Sequence, residues 1–111
     1  MDFDTARHLI VAYGRRLYAN GLTDSVGGNL SIRLQERVFI TPRGAASEWR
    51  WELSPSQVLV TDLSGQILAG DGEASRESAA HLALQQAFFP RISAVIDRKS
   101  TRLNSSHTIQ S

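Results

Sequence analysis

The sequence predicts an α/β domain, and three observations carry that prediction. An amphipathic helix opens the chain, two pairs of short β-type runs follow, and a second helix precedes a predominantly apolar run, ISAVI. With 111 residues, 41% hydrophobic and 21% charged, the chain is long enough for one modest core and not for two.

The first helix rests on Ala6, Leu9, Ile10, Tyr13 and Leu17, which recur at helical spacing. Asp4 or Thr5 is placed to cap its start, and Arg15 and Arg16 suit the negative end of the helix dipole. Asn20 and Gly21 then tolerate the left-handed conformation that closes a helix. After GLTDSVGGN, the runs LSIR and VFIT, separated by LQER, read as a hairpin. VLVTDL and QILAG, flanking the turn pair Ser64 and Gly65, read as a second hairpin, with a β-branched first strand. Between the hairpins lies TPRGAASEWRWELSPS, which holds both tryptophans, and ordered connections of that length are often functional. The second helix is expected from about Ser75 to Phe89, capped by Ser75, with Glu77 in its first turn and Pro90 as its stop. Leu82, Leu84, Ala87 and Phe88 are its expected buried positions, and ISAVI suits a strand covered on both faces. In DRKSTRLNSSHTIQS only Leu103 and Ile109 are sizeable apolar residues, too few to pack a further element. Residues 1–96 therefore read as the folded unit, and 97–111 as a non-native or disordered tail.

Composition narrows the function classes. A net charge of +1 gives no general attraction to nucleic acid or acidic lipid, and the few basic residues of the tail, Arg98, Lys99 and Arg102, lack interleaved aromatics. The absence of cysteine removes disulfides and thiolate metal sites. The acidic start MDFDTARHL does not suit a secretory signal, and no apolar stretch approaches the roughly 18 residues of a membrane span. The expectation is a cytoplasmic protein with neither nucleic acid nor membrane as a partner.

Three stretches could carry chemistry. In SVGGNLSIR, Gly28 and its neighbouring glycine let the backbone approach a ligand and turn N–H groups toward an anion, while Asn29 adds an amide; a tight turn is the plainer reading. In ITPRG, Thr41 and the Gly44 amide could hold a polar ligand, with Arg43 supplying a fixed cation; a strand-ending turn is the alternative. In GEASRESAAH, Ser75, Arg76 and Glu77 gather at a helix N-terminus, where Glu77 is a candidate general base and where capping alone would also explain Ser75 and Glu77. His8, His81 and His107 show no metal-binding spacing, and His81 is expected to be a helix residue packed or hydrogen-bonded locally.

Taken in order, GLTDSVGGNLSIR, ITPRG, LVTDLSGQILAGD and ASRESAAHLALQQAFFPRISAVI resemble the N-terminal half of the class II aldolase and adducin head-domain family over most of residues 5–96. The resemblance implies an α/β/α layered fold with a mostly antiparallel sheet, truncated after about half the domain, and a homo-oligomer, commonly a tetramer. It implies cleavage or rearrangement of a small phosphorylated sugar, with a divalent metal, commonly zinc, held by histidines. Gly28 and Asn29, Thr41 and Gly44, and Ser75 match the segments that hold the substrate phosphate in the family, and Glu77 matches its proton-transferring carboxylate. A Lewis acid suits such chemistry because retro-aldol cleavage leaves an enediolate.

Three departures qualify the resemblance. Arg43 and Arg76 stand where the family pattern has small hydroxyl residues, so they either strengthen an anion site or fill it and select a carboxylated or shorter substrate. Asp97 and Lys99 stand where the pattern has a histidine pair, so no metal or other cofactor is expected on this chain, and the 111 residues as written are expected to be inactive. RKSTRLNSSH also resembles translated adaptor or vector sequence. The parent protein would be an aldehyde-lyase of a ketose phosphate, or an epimerase or dehydratase of the same family. A non-catalytic, adducin-like assembly domain is the alternative.

Overall fold

The computed structural model describes residues 2–87, 92–99 and 104–110. Helix α1 (Phe3–Ala19) leads into strands β1 (Gly28–Leu34) and β2 (Arg37–Ile40). A long connection ending in a short 3-10 helix (Pro55–Gln57) precedes β3 (Leu59–Asp62) and β4 (Ile67–Ala69), and helix α2 (Ser78–Ala87) precedes β5 (Ile92–Lys99) and β6 (Asn104–Gln110). The strands form one six-stranded sheet in the order β4-β3-β2-β1-β5-β6. All its pairings are antiparallel.

Alternation along the strands separates two layers. Leu30, Phe39, Val60 and Ile96 belong to the apolar cluster that also buries Ala6, Ile10 and Val11 of α1, because residues two apart share one face of a sheet. On the other face, Ser31 meets His81 and Gln85 of α2. The helices therefore cover opposite faces, as an α/β/α layering requires. Adjacent Val95 and Ile96 are both buried, the signature of a strand covered on both sides.

Several elements depart in detail from the sequence expectation. The cap of α1 is Asp2, whose carboxylate accepts from the Thr5 amide at 2.7 Å; Asp4 and Thr5 sit inside the first turn. Asn20 and Gly21 close the helix as expected, Gly21 with φ +71°. Tyr13 is 47% exposed, because the apolar stripe is turned toward Ala6, Ile10, Val11 and Gly14. Both hairpins form where expected, with Leu34 opposite Arg37 in the first. Helix α2 begins at Ser78, since Ser75 to Glu77 form a turn in which the Ser78 amide donates to the Ser75 carbonyl at 3.2 Å. Its buried residues are His81 and Gln85; Leu82 and Leu84 are half-buried and Ala87 is exposed. Phe88 lies outside the described residues.

The compositional break at Asp97 falls inside β5, and residues 104–110 pair with that strand. The long connection contributes to the core, where Ala45, Ala46, Trp51 and Leu53 are buried. The β3–β4 turn is tied by Asp62, whose Oδ1 accepts from the Ser64 hydroxyl at 2.7 Å and from the Ser64 and Gln66 amides at 2.9 Å. The Ser64 hydroxyl first, then the Gln66 amide, hold this carboxyl below its usual value. A depressed folded pKa adds stability above the unfolded value of about 3.9, and that contribution is lost as pH falls through the folded value. Amide exchange at Ser64 and Gln66 should accelerate, relative to the intrinsic rate, on acidification below about pH 4, and an Asp62→Asn variant should lose that response.

Candidate functional site

Three segments far apart in sequence meet at one cleft of about 240 Å³, formed by residues 26–29, 43–47 and 75–77. The first arrives from an Asx turn in which the Asp24 carboxylate accepts from the Val26 amide at 2.9 Å. Gly28 follows with φ +127°, a conformation that side chains disfavour. The second is the turn after β2, where Gly44 has φ +81° and the Arg43 amide donates to the Glu73 carbonyl at 2.7 Å. That hydrogen bond joins the Pro42–Gly44 turn to the segment leading into α2, 30 residues further along the chain.

Most of the residues expected from the sequence are brought together here. Gly28, Asn29, Arg43, Gly44, Ser75, Arg76 and Glu77 all line the cleft. Thr41 does not. It is fully buried behind Asn29, where its Oγ1 accepts from the Leu30 amide at 3.0 Å and donates to Asn29 Oδ1 at 3.2 Å. Asn29 Nδ2 in turn donates to Ser75 Oγ at 3.0 Å, and the same oxygen accepts from the Glu77 amide at 3.0 Å. With both contacts made as an acceptor, the Ser75 hydroxyl keeps its own proton for a ligand. Thr41 thus acts by fixing Asn29, and Asn29 by fixing Ser75.

Behind the cleft lies a buried polar cluster that sequence reasoning missed. Ser31 Oγ meets His81 Nδ1 at 2.6 Å and accepts from Gln85 Nε2 at 3.1 Å. His81 Nε2 pairs with Asp97 Oδ2, while Asp97 Oδ1 accepts from the Asn29 amide at 3.0 Å. His81 is packed as expected, but its partners lie 50 and 16 residues away rather than in its own helix. No local pattern announces such contacts; the four-residue spacing of His81 and Gln85 was the only available hint of one helical face.

The cleft's charged groups are uncommitted. Among the described residues, Arg43, Arg76 and Glu77 form no ion pair with one another or with any neighbour, and two arginines, Ser75 and three glycines contribute to one lining. Such a donor set suits a phosphate or carboxylate. It does not suit a metal ion. Among the described residues no group of three or more His, Cys, Asp or Glu is placed to hold one, and the Asp97 carboxylate is already engaged by His81 and the Asn29 amide.

A family model described as Class II Aldolase and Adducin N-terminal domain matches residues 8–103. The chain belongs to this family. It is 37% identical over 98 residues to a 3-oxo-tetronate 4-phosphate decarboxylase of Haemophilus influenzae, covering 87% of this chain and 44% of that one. It is 38% identical over 78 residues to a 5-deoxy-D-ribulose 1-phosphate aldolase of Bacillus thuringiensis, covering 68% and 35%. The solved structure of an L-fuculose 1-phosphate aldolase superposes with a TM-score of 0.75 at 29% identity, covering 87% and 45%. The chain therefore spans less than half the length of these relatives, and the fold and sequence resemblance of class II aldolases holds over that half.

Proposed function

We propose that the cleft holds the phosphate end of a small phosphorylated sugar, and that Glu77 moves a proton to or from the carbon skeleton held beside it. The observation that carries this reading is the convergence of the glycine turn, the Pro42–Gly44 turn and the start of α2 on one cleft with unpaired cations and a free carboxylate. Gly28 and Gly44 permit close backbone approach, Ser75 offers a proton, Arg43 and Arg76 supply charge, and Glu77, also in the lining, is the base. The relatives' names span aldolase and decarboxylase chemistry on sugar phosphates, and both create negative charge on carbon beside a carbonyl. A lyase, epimerase or dehydratase step fits the same grouping of residues. The 111 residues alone supply the ligand-holding and proton-moving groups and do not complete a turnover. The full-length protein is proposed to act as a cytoplasmic homo-oligomer.

In the full-length protein, Glu77→Gln should lower kcat by roughly 10²–10⁴-fold, with KM for the phosphorylated substrate little changed. Steady-state kinetics on small ketose phosphates checks this. Retention of wild-type kcat by the variant, or equal activity on the unphosphorylated sugars, would remove Glu77 or the phosphate site from the mechanism.

A further inference from the structure

Arg43 and Arg76 come from different walls of the cleft, one from the turn after β2 and one from the turn before α2. Neither plugs it, since about 240 Å³ stays open with both side chains in its lining. Arg43 also borders a second cavity of about 460 Å³ whose lining includes Glu48, Asp71 and Glu73, yet among the described residues it pairs with none of the three. Its guanidinium therefore remains available for an anion in spite of nearby carboxylates. The cleft already has phosphate donors without the arginines: the glycine-turn amides and the Ser75 hydroxyl. A planar guanidinium forks most favourably onto a carboxylate or a phosphate face, and two of them carried by separate segments of the lining match two anionic groups better than one.

We propose that Arg43 and Arg76 divide two anionic groups of one ligand between them, so that the cleft selects a phosphorylated sugar acid, with a carboxylate at one end and a phosphate at the other, over a neutral sugar phosphate. This rests on the reading of the cleft as a phosphate site. It turns Arg43 and Arg76 into the specificity-determining residues of the chain. The carboxylate engages whichever guanidinium the phosphate leaves free, and the small volume holds the two groups a few carbons apart.

The test uses the 111-residue chain and a matched pair of ligands, 3-phosphoglycerate and glycerol 3-phosphate, which differ in one carboxylate in place of one hydroxymethyl group. Binding is followed by calorimetry and by amide shifts of Gly28 and Gly44. The wild-type chain should bind 3-phosphoglycerate at least about tenfold more tightly, the effect of one charge-assisted bidentate contact. The Arg43→Gln and Arg76→Gln double variant, with circular dichroism confirming its fold, should bind the two ligands within about twofold of each other. Equal binding of both by the wild-type chain overturns the two-anion proposal and leaves the phosphate site standing. A preference that survives in the double variant also overturns it. Failure of both ligands and of inorganic phosphate to shift Gly28 or Gly44 overturns the phosphate reading itself.

Discussion

Replacing Trp51 with alanine should lower the unfolding free energy by about 3–5 kcal/mol, the loss typical of a large aromatic removed from a packed core. Trp51 is fully buried, and its indole N–H donates to the Asp24 carbonyl at 2.9 Å, so removal opens a cavity and leaves a backbone acceptor without its partner. The ring lies so close to α1 that a methyl group at Gly14 would come within 2.9 Å of it. Trp51 and Arg50 also hold left-handed conformations, φ 64° and 50°, which non-glycine residues keep only when surrounding contacts impose them. Since single domains are stable by only about 5–15 kcal/mol, this one change should approach the limit of what the fold tolerates. Trp49, two residues away and 44% exposed, is the control: its alanine variant should stay within about 0.5 kcal/mol of wild type. Urea denaturation of the two variants decides the matter, and similar midpoints for both would contradict the packing account.

Replacing His81 with leucine should cost roughly 1–3 kcal/mol, because Ser31 Oγ and the Asp97 carboxylate each lose one of their two buried partners and a hydrogen bond to a charged group is the costlier one to lose. Leucine retains apolar volume but offers nothing to Ser31 Oγ or to the Asp97 carboxylate. Ser31 would keep its contact from Gln85, so most of the loss falls on Asp97. That carboxylate also receives the Asn29 amide, and Asn29 in turn positions Ser75 at the cleft. The substitution should therefore move the Asn29 and Glu77 amide resonances as well as the denaturation midpoint. A lowered midpoint with those amides unmoved would mean that His81 fills space and does not hold the cleft.

The two variants probe different kinds of legibility. Glycines, a serine cap and a glutamate at a helix start were visible as candidate ligand-holding residues, because their chemistry depends on residue type and on neighbours a few positions away. Thr41 belonged to the same motif, but its hydroxyl faces Asn29 instead of the cleft; only the approach of β1 to the following turn decides that. On α2, Leu82 and Leu84 looked like the buried positions, and the structure buries His81 and Gln85 instead. Hydrophobicity pointed to the leucines, but the sheet face opposite supplies Ser31 and Asp97, and hydrogen bonds compensate the cost of burying polar groups.

The sequence by itself determined the succession of elements as far as ISAVI, since spacing and turn residues act over a few positions, although α1 is capped by Asp2 and α2 begins only at Ser78; the pairing of residues 104–110 with β5 was not legible in it. It also determined the family, because the motifs keep their order and intervals. Tertiary structure alone decided which faces are buried, which candidate residues share a cleft and which only support it, and that the arginines line the cleft without closing it. Those outcomes depend on contacts between segments dozens of residues apart, and no local pattern encodes the distance between two side chains that meet only when the sheet is assembled.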